Sequence, residues 1–209
     1  NEEVTPGVHL MWVKAPEIAS SARPGQFIML RCGRESTLRR PLSIHLSREG
    51  EEIALLFALV GEGTRYLSRL RNGDSLDVLG PLGNGYSISP GARNLLLVGG
   101  GVGVAPLAFL SQRALAMGYK VTMLLGAATG AELYPVHLLP PGLELVTVTE
   151  DGSVGEVGVV TDILPGLASM VDQIFACGPM SMYQVMASQR KITAGGEKAQ
   201  VSLAFRMGC

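Results

Sequence analysis

Residues 98–106 read Val-Gly-Gly-Gly-Val-Gly-Val-Ala-Pro, which is the strongest local motif of the chain. The apolar run Asn94–Val98 predicts a buried strand before it, and Val104–Met117 predicts a helix after it that ends at Gly118. A glycine turn between a strand and a helix N-terminus can bind a phosphate through backbone N–H groups. Proline replaces the third glycine of the usual motif, and the usual acid about 20 residues on is missing. The alternative is tight strand–helix packing, with the glycines as spacers.

Beyond this turn, strands and helices alternate, which predicts a parallel sheet with helices on both faces. The expected strands are Lys120–Leu125, Leu143–Val148 and Gln173–Ala176, and the expected helices are Thr161–Met170, with Pro165 breaking or reshaping it, and Ser181–Gln189. Before the turn, short strands predict a sandwich or barrel. They are Val8–Val13, Gln26–Arg31, Pro41–Leu46, Ile53–Leu59 and Ser75–Leu79, with a short helix at Thr64–Arg71 and a linker at Ser89-Pro90-Gly91.

Composition excludes several classes of protein. The chain has 209 residues, 47% of them apolar, and a net charge of −1, which excludes disorder. Three cysteines, at positions 32, 177 and 209, do not suit a disulfide scaffold or a zinc site. Residues 94–112 are uncharged, but glycines and a proline interrupt them, so we expect no membrane span. No secretory signal opens the chain, so we expect a cytoplasmic protein.

Two short motifs in the first half suit anions. Residues 39–45 read Arg-Arg-Pro-Leu-Ser-Ile-His, and the fork of an arginine suits a phosphate. Residues 61–64 read Gly-Glu-Gly-Thr before the short helix, where backbone N–H groups and a capping Thr64 can meet an anion. Each alone is better explained by a surface arginine pair or an ordinary capped helix. Together they would suit the diphosphate of a dinucleotide.

Two further stretches fall at the ends of predicted strands. Gly80–Gly85 reads as a turn that permits positive φ angles. Cys177 ends the last clear strand of the predicted parallel sheet, where ligands bind in such folds. A buried small residue is the plainer explanation, and no neighbouring His or basic residue suggests a reactive thiolate.

These motifs occur in an order that resembles the ferredoxin-NADP reductase superfamily over nearly the whole chain. The set is Arg40-Pro41-Leu42-Ser43, Gly63-Thr64, Gly80–Gly83, Gly99–Pro106 and Cys177-Gly178-Pro179. The resemblance implies a six-stranded antiparallel FAD-binding β-barrel over residues 1–90 and a parallel-sheet NAD-binding α/β domain over residues 91–200.

Residues 61–85, 151–164 and 201–209 more closely resemble the electron-transfer subunits of type B dihydroorotate dehydrogenases. In that family the last stretch leads into four cysteines that hold a [2Fe–2S] cluster. Cys209 matches the first of them, so residues 201–209 would begin a truncated [2Fe–2S] segment. One thiolate cannot hold a cluster that needs four ligands.

The resemblance also implies roles for individual residues. FAD would contact Arg40, Pro41, Leu42, Ser43, Phe57, Ala58, Leu59, Gly63 and Thr64. Of these, Arg40 would bind the diphosphate and Ser43 would lie near the flavin ring. NAD would contact Gly99, Gly100, Gly101, Gly103, Val104, Pro106, Cys177, Gly178 and Pro179, with Glu150 and Asp151 as ribose candidates. Cys177 would approach the nicotinamide, and no catalytic acid or base is expected. His45, His9 and His137 have no role in the resemblance and are expected to be surface residues.

The expected function is electron transfer between NAD(H) and an FMN-containing dihydroorotate dehydrogenase subunit, through FAD and a [2Fe–2S] cluster, in pyrimidine biosynthesis. The rivals are a reductase subunit of a sulfhydrogenase or of a ferredoxin:NADP oxidoreductase, and a non-catalytic NAD-binding redox sensor.

Independently of the family, residues 121–189 contain seven acids and no Lys or Arg. A 2′-phosphate is usually met by Arg or Lys, which predicts NADH over NADPH. No single basic face is present, so nucleic acid is not an expected partner.

Overall fold

The computed structural model describes residues 1–33, 38–189 and 199–203. Its first half is an antiparallel sheet of six strands in the order β1-β2-β5-β4-β3-β6. These strands are β1 (Glu2–Thr5), β2 (Val8–Lys14), β3 (Phe27–Arg31), β4 (Arg39–Arg48), β5 (Glu52–Ala58) and β6 (Asp77–Leu82). Helices α1 (Pro16–Ser21) and α2 (Glu62–Arg69) join them, and a buried apolar core includes Ile28, Leu30, Ile44 and Leu55.

The second half is a six-stranded sheet in the order β10-β9-β8-β7-β11-β12, and every pair of neighbours runs parallel. Its strands are β7 (Asn94–Gly100), β8 (Lys120–Ala127), β9 (Glu144–Thr149), β10 (Glu156–Val157), β11 (Gln173–Cys177) and β12 (Ala199–Ser202). Its helices are α3 (Val104–Ala116), α4 (Val160–Ala168) and α5 (Met180–Ser188). The expected fold class, an antiparallel six-stranded unit followed by a parallel α/β unit, is confirmed.

Alternation along β7 explains why both faces of the parallel sheet are covered. Leu95 and Leu97 pack on the α3 side, whereas Leu96 and Val98 pack with residues of α4 and α5 on the other. Successive side chains of a strand point to opposite faces, so a strand that is buried on both sides reads as a continuous apolar run. The uncharged stretch at 94–112 is therefore a buried strand, a turn and a buried helix.

Helix α3 joins the two halves. Its Leu107 and Leu110 pack against the parallel sheet, in a cluster that also contains Leu56 of β5, while Phe109 enters the core of the antiparallel sheet. Phe109 is fully buried, and burying such a side chain stabilises a fold by about 1.5–3 kcal/mol. Among the described residues, no helix is both long and apolar enough to cross a membrane.

Several boundaries differ from the sequence-based expectations. Helix α2 begins two residues earlier than expected, at Glu62, and α4 continues through Pro165. Gly80-Pro81-Leu82, expected in a turn, is the end of β6 and pairs with β3. The short elements β1, α1, β10 and β12 were not expected. The segment expected to be a linker is tied to the parallel sheet, since the Ser89 N–H donates to Oε1 of Gln173 at 2.8 Å.

Candidate functional site

A groove of about 980 Å³ lies between the two sheets, at the carboxyl ends of β7, β8, β9 and β11. This is the edge at which open parallel sheets bind ligands, because the chain leaves β7 and β11 toward opposite faces. Its volume lies near the upper end of the 300–1,000 Å³ typical of ligand pockets, roughly enough for a large ligand. Strands β4 and β5 close it from the other side. From these two strands it is lined by Pro41, Leu42, Ser43, Leu56, Phe57 and Ala58.

The glycine turn forms the wall between the halves, and its glycines have different tasks. A Cβ on Gly103 would lie 1.9 Å from the carbonyl oxygen of Cys177, so this residue lets the turn pack against the end of β11. A Cβ on Gly99 would lie 2.7 Å from Leu125, which makes Gly99 a spacer within the sheet. Gly101 is exposed, has a φ of +54° and faces open space. The packing explanation of the motif therefore holds at Gly99 and Gly103, and Gly101 leaves space for a ligand.

Arg40 and the start of α2 are neighbours, as their pairing in the sequence suggested. A Cβ on Gly63 would lie 3.3 Å from Cγ and 3.4 Å from Nε of Arg40, so the arginine crosses the first turn of α2. Arg39 points elsewhere and forms a two-pronged ion pair with Asp77, at 2.7 and 2.8 Å. In the described part of the chain, no carboxylate forms an ion pair with Arg40. A guanidinium beside a helix N-terminus is a favourable place for an anion.

Thr64 stabilises the turn that leads into α2, but not as the N-cap that was expected. Gly61 is the N-cap, and the Thr64 hydroxyl accepts the N–H groups of Val60 and Gly61 at 3.0 and 3.2 Å. Thr64 still lines the groove. The Leu59 N–H donates to the carbonyl oxygen of Gly7 at 2.8 Å, and the side chain of Leu59 packs with the antiparallel core.

Cys177 ends β11 at the floor of the groove and is only 8% exposed. Burial raises the pKa of its thiol to about 11, against the opposing effect of hydrogen bonds with Tyr183 and Ser202. The Tyr183 hydroxyl accepts the Gly178 N–H at 2.9 Å and donates to the carbonyl oxygen of Ser202 at 2.5 Å. The thiol is therefore neutral at physiological pH and is not a nucleophile.

We expect slow alkylation of Cys177 in the folded chain, because with a pKa of about 11 only roughly one thiol in a thousand is ionised at pH 8. Its rate should rise about tenfold per pH unit until the pH approaches that pKa. Iodoacetamide labelling with mass spectrometry measures this at each cysteine separately. The urea-unfolded chain is the control, and equal rates in folded and unfolded protein at pH 8 would contradict the assignment.

Acidic side chains lie where the parallel sheet borders the groove. Glu132 and Glu150 line the groove and are exposed, and among the described lining residues there is no Lys or Arg. Asp151 instead holds a turn, since its Oδ1 accepts the Ser153 hydroxyl and N–H at 2.6 and 3.0 Å. These hydrogen bonds lower the pKa of Asp151. The structure thus places Glu150, but not Asp151, at the groove.

His45 is not a surface residue, which corrects the expectation. It is fully buried behind the groove, where Nδ1 lies 3.0 Å from the carbonyl oxygen of Ala105 and Nε2 lies 2.8 Å from the Tyr134 hydroxyl. The expectation failed because both partners are distant in sequence. His9 is partly buried and stacks on Phe57, with 5.9 Å between ring centroids, whereas His137 is exposed as expected.

The groove brings together most of the residues singled out from the sequence. Those that line it are Pro41, Leu42, Ser43, Phe57, Ala58, Thr64, Gly100, Gly101, Gly103, Val104, Pro106, Glu150, Cys177, Gly178 and Pro179. The expected residues that do not line it are Arg40, Leu59, Gly63, Gly99 and Asp151. Sequence reasoning missed Tyr134 and Glu132, for which no local motif gave a signal, and it gave no site role to residues 158–161, although they lie in the stretch 151–164 that carries the resemblance.

Cys209, expected as the first cluster ligand, lies outside the described residues. Within residues 1–33, 38–189 and 199–203, no group of three or more His, Cys, Asp or Glu side chains could hold a metal ion. Cys32 and Cys177 are both free and buried. The described structure therefore supplies no set of ligands for an iron–sulfur cluster.

Known proteins are similar to this chain over nearly all of its residues. The electron transfer subunit of dihydroorotate dehydrogenase B (NAD(+)) from Fusobacterium nucleatum is 34% identical, over 100% of this chain and 82% of its own. The subunit of the same name from Desulforamulus reducens is 36% identical, over 99% and 80%. The solved NADH-dependent reduced ferredoxin-NADP oxidoreductase superposes with a TM-score of 0.81 at 32% identity, over 97% of this chain and 74% of that one. No family model matches the sequence.

Proposed function

Because the chain belongs to the family of dihydroorotate dehydrogenase B electron-transfer subunits, we propose that it is an oxidoreductase that binds FAD and NAD(H) in one groove. The observation that carries the proposal is the meeting of three separate motifs at that groove. Strand β4 supplies Ser43, the turn after β7 supplies Gly101, and the end of β11 supplies Cys177. Two nucleotides placed against these walls would have their reactive rings side by side.

The residues of the antiparallel sheet fit FAD. Pro41, Leu42, Phe57 and Ala58 form a mainly apolar wall for a flavin ring, with the Ser43 hydroxyl as a polar contact. Arg40, across the first turn of α2, would hold the diphosphate together with the N–H groups of that turn. Such a mainly apolar site with a few polar groups is typical of cofactor pockets.

The parallel sheet fits NAD(H). The exposed Gly101, at the turn that leads into α3, allows the backbone to approach a diphosphate closely. Gly178, whose N–H donates to the Tyr183 hydroxyl, and Pro179 would border the nicotinamide. Glu150 is the ribose contact that we favour, because it lines the groove and Asp151 does not.

A bound FAD supplies the exchange between two-electron hydride transfer and one-electron transfer. The chain's own contribution is position and exclusion of water. Cys177 stays protonated beside the nicotinamide position and offers a small, uncharged surface there. In the described groove no side chain needs to give or take a proton.

We further propose a dihydroorotate dehydrogenase subunit that contains FMN as the partner, a [2Fe–2S] cluster between the two, and a role in pyrimidine biosynthesis. The names of the relatives support the partner, because they are electron transfer subunits of that enzyme. We propose the cytoplasm as the compartment, which suits the free cysteines Cys32 and Cys177. An assay of dihydroorotate-dependent NAD⁺ reduction, with and without a candidate partner, tests this part.

The similarity to a ferredoxin-NADP oxidoreductase supports a second candidate, a reductase subunit of such an enzyme. The dihydroorotate assay separates the two candidates. A ferredoxin reductase subunit would give no dihydroorotate-dependent reduction of NAD⁺ and would instead support NADH-dependent reduction of a ferredoxin. A preparation that cannot be reconstituted with FAD would instead indicate an NAD-binding redox sensor.

The Arg40→Leu substitution tests the FAD site. We expect the Kd for FAD to rise about 10-fold to 100-fold, because a charge-assisted hydrogen bond contributes about 1.5–3 kcal/mol. Quenching of flavin fluorescence during titration measures it. Arg39→Leu is the matched control, since it breaks the ion pair with Asp77 and leaves the turn of α2 untouched. Equal losses in both variants would show that Arg40 has no special contact with FAD.

A further inference from the structure

His45 joins the two halves of the molecule behind the groove. It lies on β4 two residues after Ser43, where the pairing of β4 with β5 shifts register between Ile44 and Leu46. Ser43 lines the groove, whereas His45 is fully buried beneath the start of α3. Ile44, between them, points the other way into the core of the antiparallel sheet. The imidazole is thus covered by the parallel half.

Both ring nitrogens of His45 contact residues that line the groove. Nδ1 lies 3.0 Å from the carbonyl oxygen of Ala105, in the first turn of α3, and Nε2 lies 2.8 Å from the hydroxyl of Tyr134. The Tyr134 ring also meets the imidazole edge to face, with 5.2 Å between centroids. The buried His45 side chain therefore connects β4 to two groups of the opposite wall, the Ala105 carbonyl and the Tyr134 hydroxyl.

The direction of these hydrogen bonds follows from the partners. A carbonyl oxygen can only accept, so Nδ1 carries the proton and donates to Ala105. In a neutral imidazole Nε2 is then the acceptor, and the Tyr134 hydroxyl donates to it. Burial keeps the ring neutral by lowering the pKa of His45 to about 4, against a raising effect of the Ala105 hydrogen bond. With its proton used in this way, the Tyr134 oxygen can offer only lone pairs to a ligand.

We propose that His45 is a positioning residue for hydride transfer, which sets the spacing between the β4 wall and the α3–Tyr134 wall of the groove. This inference rests on the proposed function, since the two walls are those assigned to FAD and NAD(H). A displacement of about 1 Å between reacting groups can lower the rate roughly 100-fold. A side chain that sets the spacing between the two walls therefore affects the rate of hydride transfer. Neither cofactor needs to touch His45 itself.

The test uses the 209-residue chain loaded with FAD, mixed rapidly with NADH without oxygen, and follows the loss of flavin absorbance. For His45→Leu we expect the limiting rate at saturating NADH to fall about 10-fold to 100-fold. FAD content and the half-saturating NADH concentration should change less than about threefold, because the binding contacts remain. His45→Gln, whose amide has both a donor and an acceptor, should recover most of the rate.

Two controls separate positioning from stability. His137→Leu alters an exposed histidine, and Ile53→Val weakens the antiparallel core by about 0.5–1.5 kcal/mol without touching the groove. Both should keep the limiting rate within about twofold of the unaltered chain. A His45→Leu protein that binds FAD and keeps its limiting rate would overturn the inference.

If His45→Leu does not fold, Tyr134→Phe decides, because it removes one of the two bridges and leaves His45 in place. A limiting rate at least about threefold lower at unchanged FAD content would support the inference, and an unchanged rate would overturn it. Failure of the proposed function is distinct: the unaltered, FAD-loaded chain would then show no reduction by NADH at all.

Discussion

The Gly103→Ala substitution should destabilise the fold by about 3 kcal/mol or more, the upper part of the range for overpacked sites. An added Cβ would lie 1.9 Å from the carbonyl oxygen of Cys177, 2.5 Å from its carbonyl carbon and 2.9 Å from the nitrogen of Gly178. All three are backbone atoms, so no side chain can turn away to make room. Either the glycine turn or the end of β11 must move, and both line the groove.

Urea unfolding measures the free energy of Gly103→Ala against a matched control, Gly166→Ala. Gly166 lies inside α4, and a Cβ there would meet nothing within 4 Å. Because alanine is favoured over glycine in a helix by about 1 kcal/mol, the control should be slightly more stable than the unaltered chain. The same chemical change should thus have opposite signs at the two positions. A Gly103→Ala protein of unaltered stability would contradict the close contact between the turn and β11.

NADH should reduce the flavin at least about 100-fold more efficiently than NADPH, as like-charge contacts cost several kcal/mol. Glu132 and Glu150 line the groove, and none of its described lining residues is Lys or Arg. The 2′-phosphate of NADPH would therefore meet negative charge with no cation to offset it. Steady-state kcat/KM for the two nucleotides, at low salt and with an artificial electron acceptor, measures the ratio.

A charge reversal locates this preference. Glu150→Lys should lower the ratio of kcat/KM for NADH to kcat/KM for NADPH by about tenfold, because a cation would then line the groove. Glu144→Lys is the matched control: Glu144 starts β9, where it pairs with Lys120 at 3.1 Å, whereas Glu150 directly follows the other end of that strand. A preference for NADPH in the unaltered chain, or equal effects of the two reversals, would contradict the assignment of Glu150.

The parts of the fold that could be predicted from the sequence are those with strong local signals. The run Asn94–Val98, the glycines after it and the apolar helix that follows form one continuous pattern. The short edge strands β1, β10 and β12 carry no such pattern, because two to four residues cannot show a period. Gly80-Pro81-Leu82 was expected in a turn from its composition, but pairing with β3 decides its structure.

The residues of the candidate site also differ in whether the sequence could predict them. Ser43, Gly101 and Cys177 stand in recognisable motifs, and the structure places all three at the groove. Tyr134 and His45 are 89 residues apart, and neither was given a role from the sequence, because only the packing of the two halves brings them together. Asp151 and Glu150 could not be separated by sequence. The hydrogen bonds of Asp151 to Ser153, within a turn, distinguish them.

We propose that one groove holds both nucleotides close enough for direct hydride exchange. The most direct measurement is an anaerobic titration of the FAD-loaded chain, without any partner, with NADH, followed by the visible absorbance of the flavin. We expect complete loss of that absorbance at one NADH per bound FAD. A chain that binds FAD stoichiometrically but keeps its absorbance in excess NADH would contradict it.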